Sequence, residues 1–374
     1  MSRPDLPPRE VPNADVDLVT QSLPVSVLTG FLGSGKTTLL NYLIRQPTLT
    51  RTLVLINEFG EIGIDHDLVT RSSDEVVIEM ASGCLCCTIR GDLAKTLREA
   101  PSRFARAGKP WFDRVVIETT GLADPAPIIH TLMSESTVAQ RYHLDGVITT
   151  IDAFNGNGTL ERQCESVKQA SVADCLVITK SDLVSADTLK ELEHRLANLN
   201  PSASRIVANK GAVEPELLFN LGIYDPKMKT PDVQRWLRAE ALTELHDHRN
   251  EHVHTHNDVN RHDANIKATC LTVDEPIRGE AIDLWLDQEL LPRGEDFLRT
   301  KGIINIDGLD GPLVIHGVQH IFHPPMILSE WPSDDRRTRI VFITRNVDES
   351  RLRNALIKLN AVEKRKPNPL SQNL

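Results

Sequence analysis

The sequence predicts an α/β domain, a mainly parallel sheet covered by helices on both faces, followed by a smaller α+β domain. Three observations carry this. Short β-branched runs alternate with segments of helical period over the first 220 or so residues; a glycine-rich loop sits between the first such run and the first helix; and a histidine-rich break interrupts the pattern before a second set of strands begins. The chain has 374 residues and 40% apolar content, enough for two ordinary cores.

The N-terminal residues 1–22 are Pro-rich and polar, without the basic start and apolar run of a secretory leader. Pro24 to Thr29 then reads as a buried strand and Lys36 to Arg45 as a helix. Further strands are expected at Thr52–Asn57, Val76–Met80, Arg114–Glu118, Gly146–Ile151 and Cys175–Thr179, with helices at Leu93–Ala100 and Ser185–Asn198. Strands and helices in alternation bury both faces of a parallel sheet. This first domain is expected to span residues 23–223.

Residues 224–264 read as a linker, with one helix expected at Asp232–Leu245. Its second half holds six of the 13 histidines, His246, His248, His252, His254, His256 and His262, among acids and amides with almost no apolar residue. Such a tract cannot build a core. Metal collection and plain solubilisation are equally compatible with it, since nothing fixes its geometry. The second domain, residues 265–361, should contain strands at Lys267–Val273, Gly302–Ile306, Leu313–Phe322 and Thr338–Thr344 and helices at Gly279–Leu290 and Glu349–Asn360, before a tail at 362–374. His316, His320 and His323 are expected on a strand face or at a partner contact.

The net charge of −10 and only 4% aromatic residues argue against nucleic acid and anionic lipid as partners. No apolar stretch reaches the length of a membrane span. Three of the six cysteines fall within four residues, which is no disulfide framework and fits a reducing, cytoplasmic setting.

Gly30 to Thr37 (GFLGSGKT) matches the G-x-x-x-x-G-K-[ST] phosphate loop between a strand and a helix. Its backbone N–H groups and the helix N-terminus favour phosphate, Lys36 reaches the β and γ phosphates, and Thr37 offers a hydroxyl to Mg²⁺. Gly30, Gly33, Ser34, Gly35, Lys36, Thr37 and Thr38 would hold the nucleotide. After the strand at Val115 to Ile117, Glu118 can hold the hydration shell of Mg²⁺ and Gly121 can donate its N–H to the γ phosphate; with Lys36 these form the candidate catalytic set. Thr179, Lys180 and Asp182 (TKSD) are the candidate base reader. A carboxylate accepts from guanine N1–H and its amino group, which adenine cannot offer, so GTP is favoured over ATP. Thr179 replaces the more usual Asn, removing one amide contact.

Cys84, Cys86 and Cys87 (SGCLCCT) can converge on one soft ion, Zn²⁺ or Cu(I), and would leave a fourth position open for exchange. Three buried small residues are the alternative; a disulfide between neighbouring Cys86 and Cys87 is sterically poor.

These motifs together resemble the CobW-type metallochaperone GTPases of the phosphate-loop class. The resemblance rests on GFLGSGKTTLL at Gly30–Leu40, NEFGEIGID at Asn57–Asp65, GCLCC at Gly83–Cys87, ETTGLADP at Glu118–Pro125, KSD at Lys180–Asp182 and GVQH at Gly317–His320. It implies that Asn57–Asp65 is a switch segment, with Asp65 near magnesium beside Thr37 and Glu118, and Glu61 a further ligand of the cysteine-bound metal. It also implies that GTP hydrolysis to GDP drives transfer of a metal to a client metalloprotein. Zinc is the first expectation, with Co²⁺ and Fe²⁺ as alternatives. Where some relatives carry a carboxylate before the Asn-Glu pair, this chain has Ile56. A regulatory switch without metal delivery and a small-molecule kinase are the competing functions, and a homo-oligomer is left open.

Overall fold

The computed structural model describes residues 22–57, 76–79, 87–106, 109–219 and 266–361. The expected helix at Asp232–Leu245 and the histidine-rich tract lie outside them.

The N-terminal unit begins with β1 (Leu23–Gly30), α1 (Lys36–Leu43), β2 (Thr52–Asn57), β3 (Val76–Glu79) and α2 (Cys87–Arg103). A two-residue hairpin, β4 (Ala105–Arg106) and β5 (Lys109–Pro110), leads to β6 (Arg114–Thr119), α3 (Ala126–Ser134), α4 (Ser136–Ala139), β7 (Tyr142–Asp152), α5 (Gly156–Arg162) and α6 (Cys164–Val172). β8 (Cys175–Thr179), α7 (Ala186–Leu199) and β9 (Ser204–Val207) complete it. The order β3-β2-β6-β1-β7-β8-β9 makes one seven-stranded sheet, parallel at every pairing. Strands such as β8, with all five residues buried, read as continuous apolar runs because helices cover both faces. One core lies between the sheet and α2 and α3 (Leu53, Leu97, Ile117, Ile129), another under α1 (Leu28, Leu39, Val177).

β1 is central, with β6 on one side and β7 on the other, while the chain itself passes from β1 to β2 beyond β6. That reversal opens a crevice at the carboxyl ends of β1, β6, β7 and β8, where α/β sheets bind ligands.

The C-terminal unit contains β10 (Ile266–Val273), α8 (Gly279–Trp285), β11 (Phe297–Ile304), β12 (Leu313–Val318), β13 (Ile321–Phe322), β14 (Met326–Ile327), β15 (Thr338–Arg345) and α9 (Glu349–Ala361). Its antiparallel sheet runs β10-β15-β11-β12-β13, with β14 also on β12. Trp285 and Phe342 anchor its core, and the Trp285 indole N–H donates to the Leu352 carbonyl at 3.0 Å.

Most strand expectations coincide with the structure within a residue or two. β11 is the main difference. It starts at Phe297, five residues before the expected Gly302, and all eight residues are buried, Arg299 and Lys301 included. Both cations reach across to Asp174 at the start of β8: the Lys301 ammonium lies 3.0 Å from its carboxylate and the Arg299 guanidinium is also paired with it. A charged residue inside a strand reads as exposed unless its counter-ion on another domain is known. The expected strand Leu313–Phe322 is a hairpin instead, turning at Gln319, which adopts φ +55°. The helix expected over Gly279–Leu290 keeps α-form to Trp285 and loosens into a π turn at Leu286–Leu290.

The two units pack directly. Val318 of β12 joins the core under α2 and α3, Ile266 of β10 packs on the cluster beneath α6 and α7, and the His130 and His320 rings meet at 5.8 Å. His316 is buried within the Asp174 cluster, where burial and then the charges of Lys301 and Arg299 hold its imidazole well below the usual histidine value.

A candidate nucleotide site at the sheet edge

Four strand ends build the site. The β1 end turns into the glycine-rich loop, where Gly30 has φ +142° and no room for a side chain: a β-carbon would stand 2.3 Å from the Thr150 hydroxyl of β7. Glycine there lets the loop begin pressed against the neighbouring strand. Ser34 is buried and its hydroxyl lies 2.6 Å from that of Thr150. Lys36, in the first turn of α1, is 8% exposed and its ammonium folds back to donate to the carbonyls of Gly30 at 3.0 Å and Phe31 at 3.2 Å. It therefore waits inside the loop that would enclose a phosphate. Thr38 is exposed at the outer side of α1.

The β6 end supplies Glu118, 6% exposed, whose carboxylate accepts a hydrogen bond from the Thr37 hydroxyl at 3.0 Å. A hydroxyl and a carboxylate brought together beside a phosphate loop are the hard-oxygen donors that Mg²⁺ takes, so these two residues fit that ion. Next to them, the Thr119 hydroxyl lies 2.8 Å from that of Thr29, pinning β6 to β1. Gly121 is buried against the loop: a β-carbon there would meet the Leu32 backbone nitrogen at 2.6 Å.

The β8 end supplies the tetrapeptide. Thr179 is 4% exposed and donates to the Ser34 carbonyl at 2.7 Å, so its hydroxyl fastens the phosphate loop rather than facing solvent. Lys180 adopts φ +54° and its ammonium donates to the Gly33 carbonyl and to Asp152 Oδ2, both at 2.7 Å. Asp182 stands exposed in the following turn.

Two contributors lie outside the residues that the sequence motifs single out. Asp152 closes β7, one residue beyond the expected strand, and its carboxylate gathers the N–H groups of Phe154 and Asn155, the Asn155 amide and Lys180. Burial would raise its pKa, but these donors outweigh it and hold the carboxyl below the usual value, so it stays charged and keeps Lys180 in place. An aspartate followed three residues later by asparagine is a turn-forming pattern that could have drawn attention to it. Gln169, mid-helix in α6 and 1% exposed, donates to the carbonyls of Gly121 and Ala123 at 3.2 and 3.0 Å. Nothing in a helical stretch marks such an amide.

The structure thus brings together Gly30, Gly33, Ser34, Gly35, Lys36, Thr37, Glu118, Gly121, Thr179 and Lys180. Glu61, Asp65, Cys84 and Cys86 lie outside the described residues, as does the side chain of Cys87, whose backbone begins α2. Among the described residues no helix is long and apolar enough to cross a membrane.

Comparison with known proteins gives the same architecture in both units. Residues 24–207 match the CobW/HypB/UreG nucleotide-binding domain, and residues 266–360 the cobalamin synthesis protein cobW C-terminal domain. The zinc chaperone YjiA of Escherichia coli is 30% identical over 335 residues, covering 90% of this chain and 98% of that protein. Zinc-regulated GTPase metalloprotein activator 1 of Schizosaccharomyces pombe is 29% identical over 360 residues, covering 89% and 85%. The crystal structure of Zn(II)-bound YjiA GTPase superposes with a TM-score of 0.67 at 26% identity, covering 91% of this chain and 99% of that one. With its phosphate loop, its Glu118 strand end and its C-terminal sheet all in their places, this chain belongs to the CobW/HypB/UreG family of nucleotide-binding proteins, in the branch that carries the cobW C-terminal domain.

Proposed function

We propose that this chain is a cytoplasmic, Mg²⁺-dependent GTPase that binds zinc at Cys84, Cys86 and Cys87, with Glu61 as a further ligand, and delivers it to a client metalloprotein. The observation that supports the nucleotide half most strongly is the convergence of Lys36, Thr37 and Glu118, with the Thr37 hydroxyl 3.0 Å from the Glu118 carboxylate at the mouth of the phosphate loop. The names of the relatives, two of them zinc chaperone and zinc-regulated GTPase, support the metal half.

In this reading the residues act as follows. The loop N–H groups and Lys36 bind the β and γ phosphates and neutralise charge that grows as the bond from the γ phosphorus to the bridging oxygen breaks and water adds to that phosphorus. Thr37, Glu118 and Asp65 would hold Mg²⁺, which supplies charge neutralisation on the phosphates. Gly121 donates to the γ phosphate, and loses that partner when phosphate departs. Asp182 selects guanine. The cysteines lie between the segments at Asn57–Asp65 and Glu118–Pro125, so the presence of a γ phosphate can bias their arrangement and the affinity for the zinc cargo.

Two measurements test this. Purified protein should hydrolyse GTP and not ATP, with turnover lost when Mg²⁺ is chelated. Competition with a chromogenic chelator should find one tight Zn²⁺ site that Cys86→Ala abolishes. Hydrolysis without a cysteine-dependent site would leave a GTPase of other purpose.

A further inference from the structure

Both peptide groups flanking Gly121 are anchored. The carbonyl of Thr120, which shares a peptide plane with the Gly121 N–H, accepts from the Ala123 N–H at 3.2 Å and lies 3.2 Å from the Thr119 hydroxyl. In a trans peptide the N–H points opposite its carbonyl, so these contacts aim the Gly121 N–H. The next carbonyl, that of Gly121 itself, is taken by Gln169, whose Nε2 also serves Ala123. One amide NH₂ has two hydrogens, one for each carbonyl. The opposite amide orientation would set Oε1 against two carbonyl oxygens, so the chemistry fixes this one. Gln169 is 1% exposed, and its Oε1 has no hydrogen-bond partner among the described residues. An apolar residue would pack there without that unsatisfied oxygen; the amide is explained by what its nitrogen holds.

The helix bearing Gln169 is itself a fixed platform. Gln169's carbonyl accepts from the Thr149 hydroxyl at 2.9 Å, and the buried Asn200 amide donates to the carbonyls of Ala170, Ser171 and Ala173 just beyond. Asp174, at the end of this platform, is the residue gripped by Arg299 and Lys301 of the second domain.

We propose that Gln169 is a positioning residue for GTP hydrolysis: it presses the Gly121 segment against the phosphate loop and orients the Gly121 N–H toward the γ phosphate. The inference rests on the GTPase reading of Gly121 given above. Gln169 touches no nucleotide itself. Its action is felt only where a γ phosphate is present, because only that phosphate engages Gly121.

The test uses full-length wild type, Gln169→Met and Gln169→Glu, neither variant able to donate to the two carbonyls. Dissociation constants for GDP and for a non-hydrolysable GTP analogue are measured in Mg²⁺, with GTP turnover and thermal unfolding alongside. Removing two buried hydrogen bonds should lower the ratio of analogue to GDP affinity by about tenfold. GDP affinity should stay within about twofold, and turnover should fall with the analogue affinity. An unchanged ratio, or an equal loss for both nucleotides, overturns the proposal and leaves Gln169 a packing residue. Should either variant fail to fold, wild type labelled with ¹⁵N-glutamine decides: slower exchange of the Gln169 side-chain protons with analogue than with GDP supports positioning, and equal exchange refutes it. A wild type that binds neither guanine nucleotide overturns the GTPase reading, and this proposal with it.

Discussion

Two clusters of charge, one at the sheet edge and one at the seam between the two units, are built from the same residue types and put to different ends. At the sheet edge, Lys36, Glu118, Asp152 and Lys180 are held by loop carbonyls, hydroxyls and one another around a crevice open to a ligand. At the seam between the units, Asp174, Arg299 and Lys301 are sealed, at 0%, 1% and 4% side-chain exposure. The first set keeps charges in reach of phosphate and cation. The second sets two cations against one carboxylate inside the protein. Burial pulls Lys301 down to about 8 against the attraction of Asp174, and the positive charge of Arg299 adds to the fall. Function needs charge that a ligand completes; the seam contains charge that only the other domain completes.

Breaking each cluster should therefore show in a different measurement. The largest effect is expected from Lys36→Ala, which removes the charge that would face the phosphates: GTP turnover should fall by about 10²- to 10³-fold, with only a small shift in unfolding temperature. Asp174→Asn should do the reverse. It removes the carboxylate that Arg299 and Lys301 both pair with and should cost about 3–5 kcal/mol in denaturant unfolding, while GDP affinity of the folded fraction stays the same. If Asp174→Asn altered turnover and spared stability, the separation of the two clusters would be wrong.

Two smaller effects sharpen the contrast. Thr179→Val deletes the hydroxyl that fastens the Ser34 carbonyl and should cost about 1 kcal/mol of stability, with nucleotide affinity falling through a looser phosphate loop. Lys301 gives a pH signature. Its folded pKa of about 8 lies below the unfolded value, so above pH 8 the unfolded chain binds more protons than the folded one and stability rises with pH. Relative to Lys301→Met, wild type should gain unfolding temperature between pH 8 and about 10.4. A difference flat with pH would mean that Lys301 keeps its proton throughout.

The same contrast explains how much was legible in the sequence. The phosphate loop, Glu118 and the tetrapeptide at Thr179 announce themselves because each sits at a strand end in a fixed local pattern, and every strand of the first sheet but β9 was marked by apolar runs. β9 leaves no such mark because its residues, SRIV, are half exposed at the sheet's edge. α6 carries no helical signature because Ser166, Gln169 and Ser171 are buried polar residues that break an apolar stripe. Arg299 and Lys301 read as exposed for the same reason: what pairs with them is a carboxylate 125 and 127 positions away, and no local pattern records a distant partner. Gln169 and Asp152 support the site from behind: nothing in its helix marks Gln169, and Asp152 shows only a turn-forming pattern.

The most direct test of the account is the Zn²⁺ affinity of the purified protein in Mg²⁺, measured with GDP and with a non-hydrolysable GTP analogue. The two nucleotide states should differ by about five- to 150-fold, with the difference abolished in Cys86→Ala. Equal zinc affinity in both states would contradict it, because hydrolysis would then have no free energy with which to move the metal.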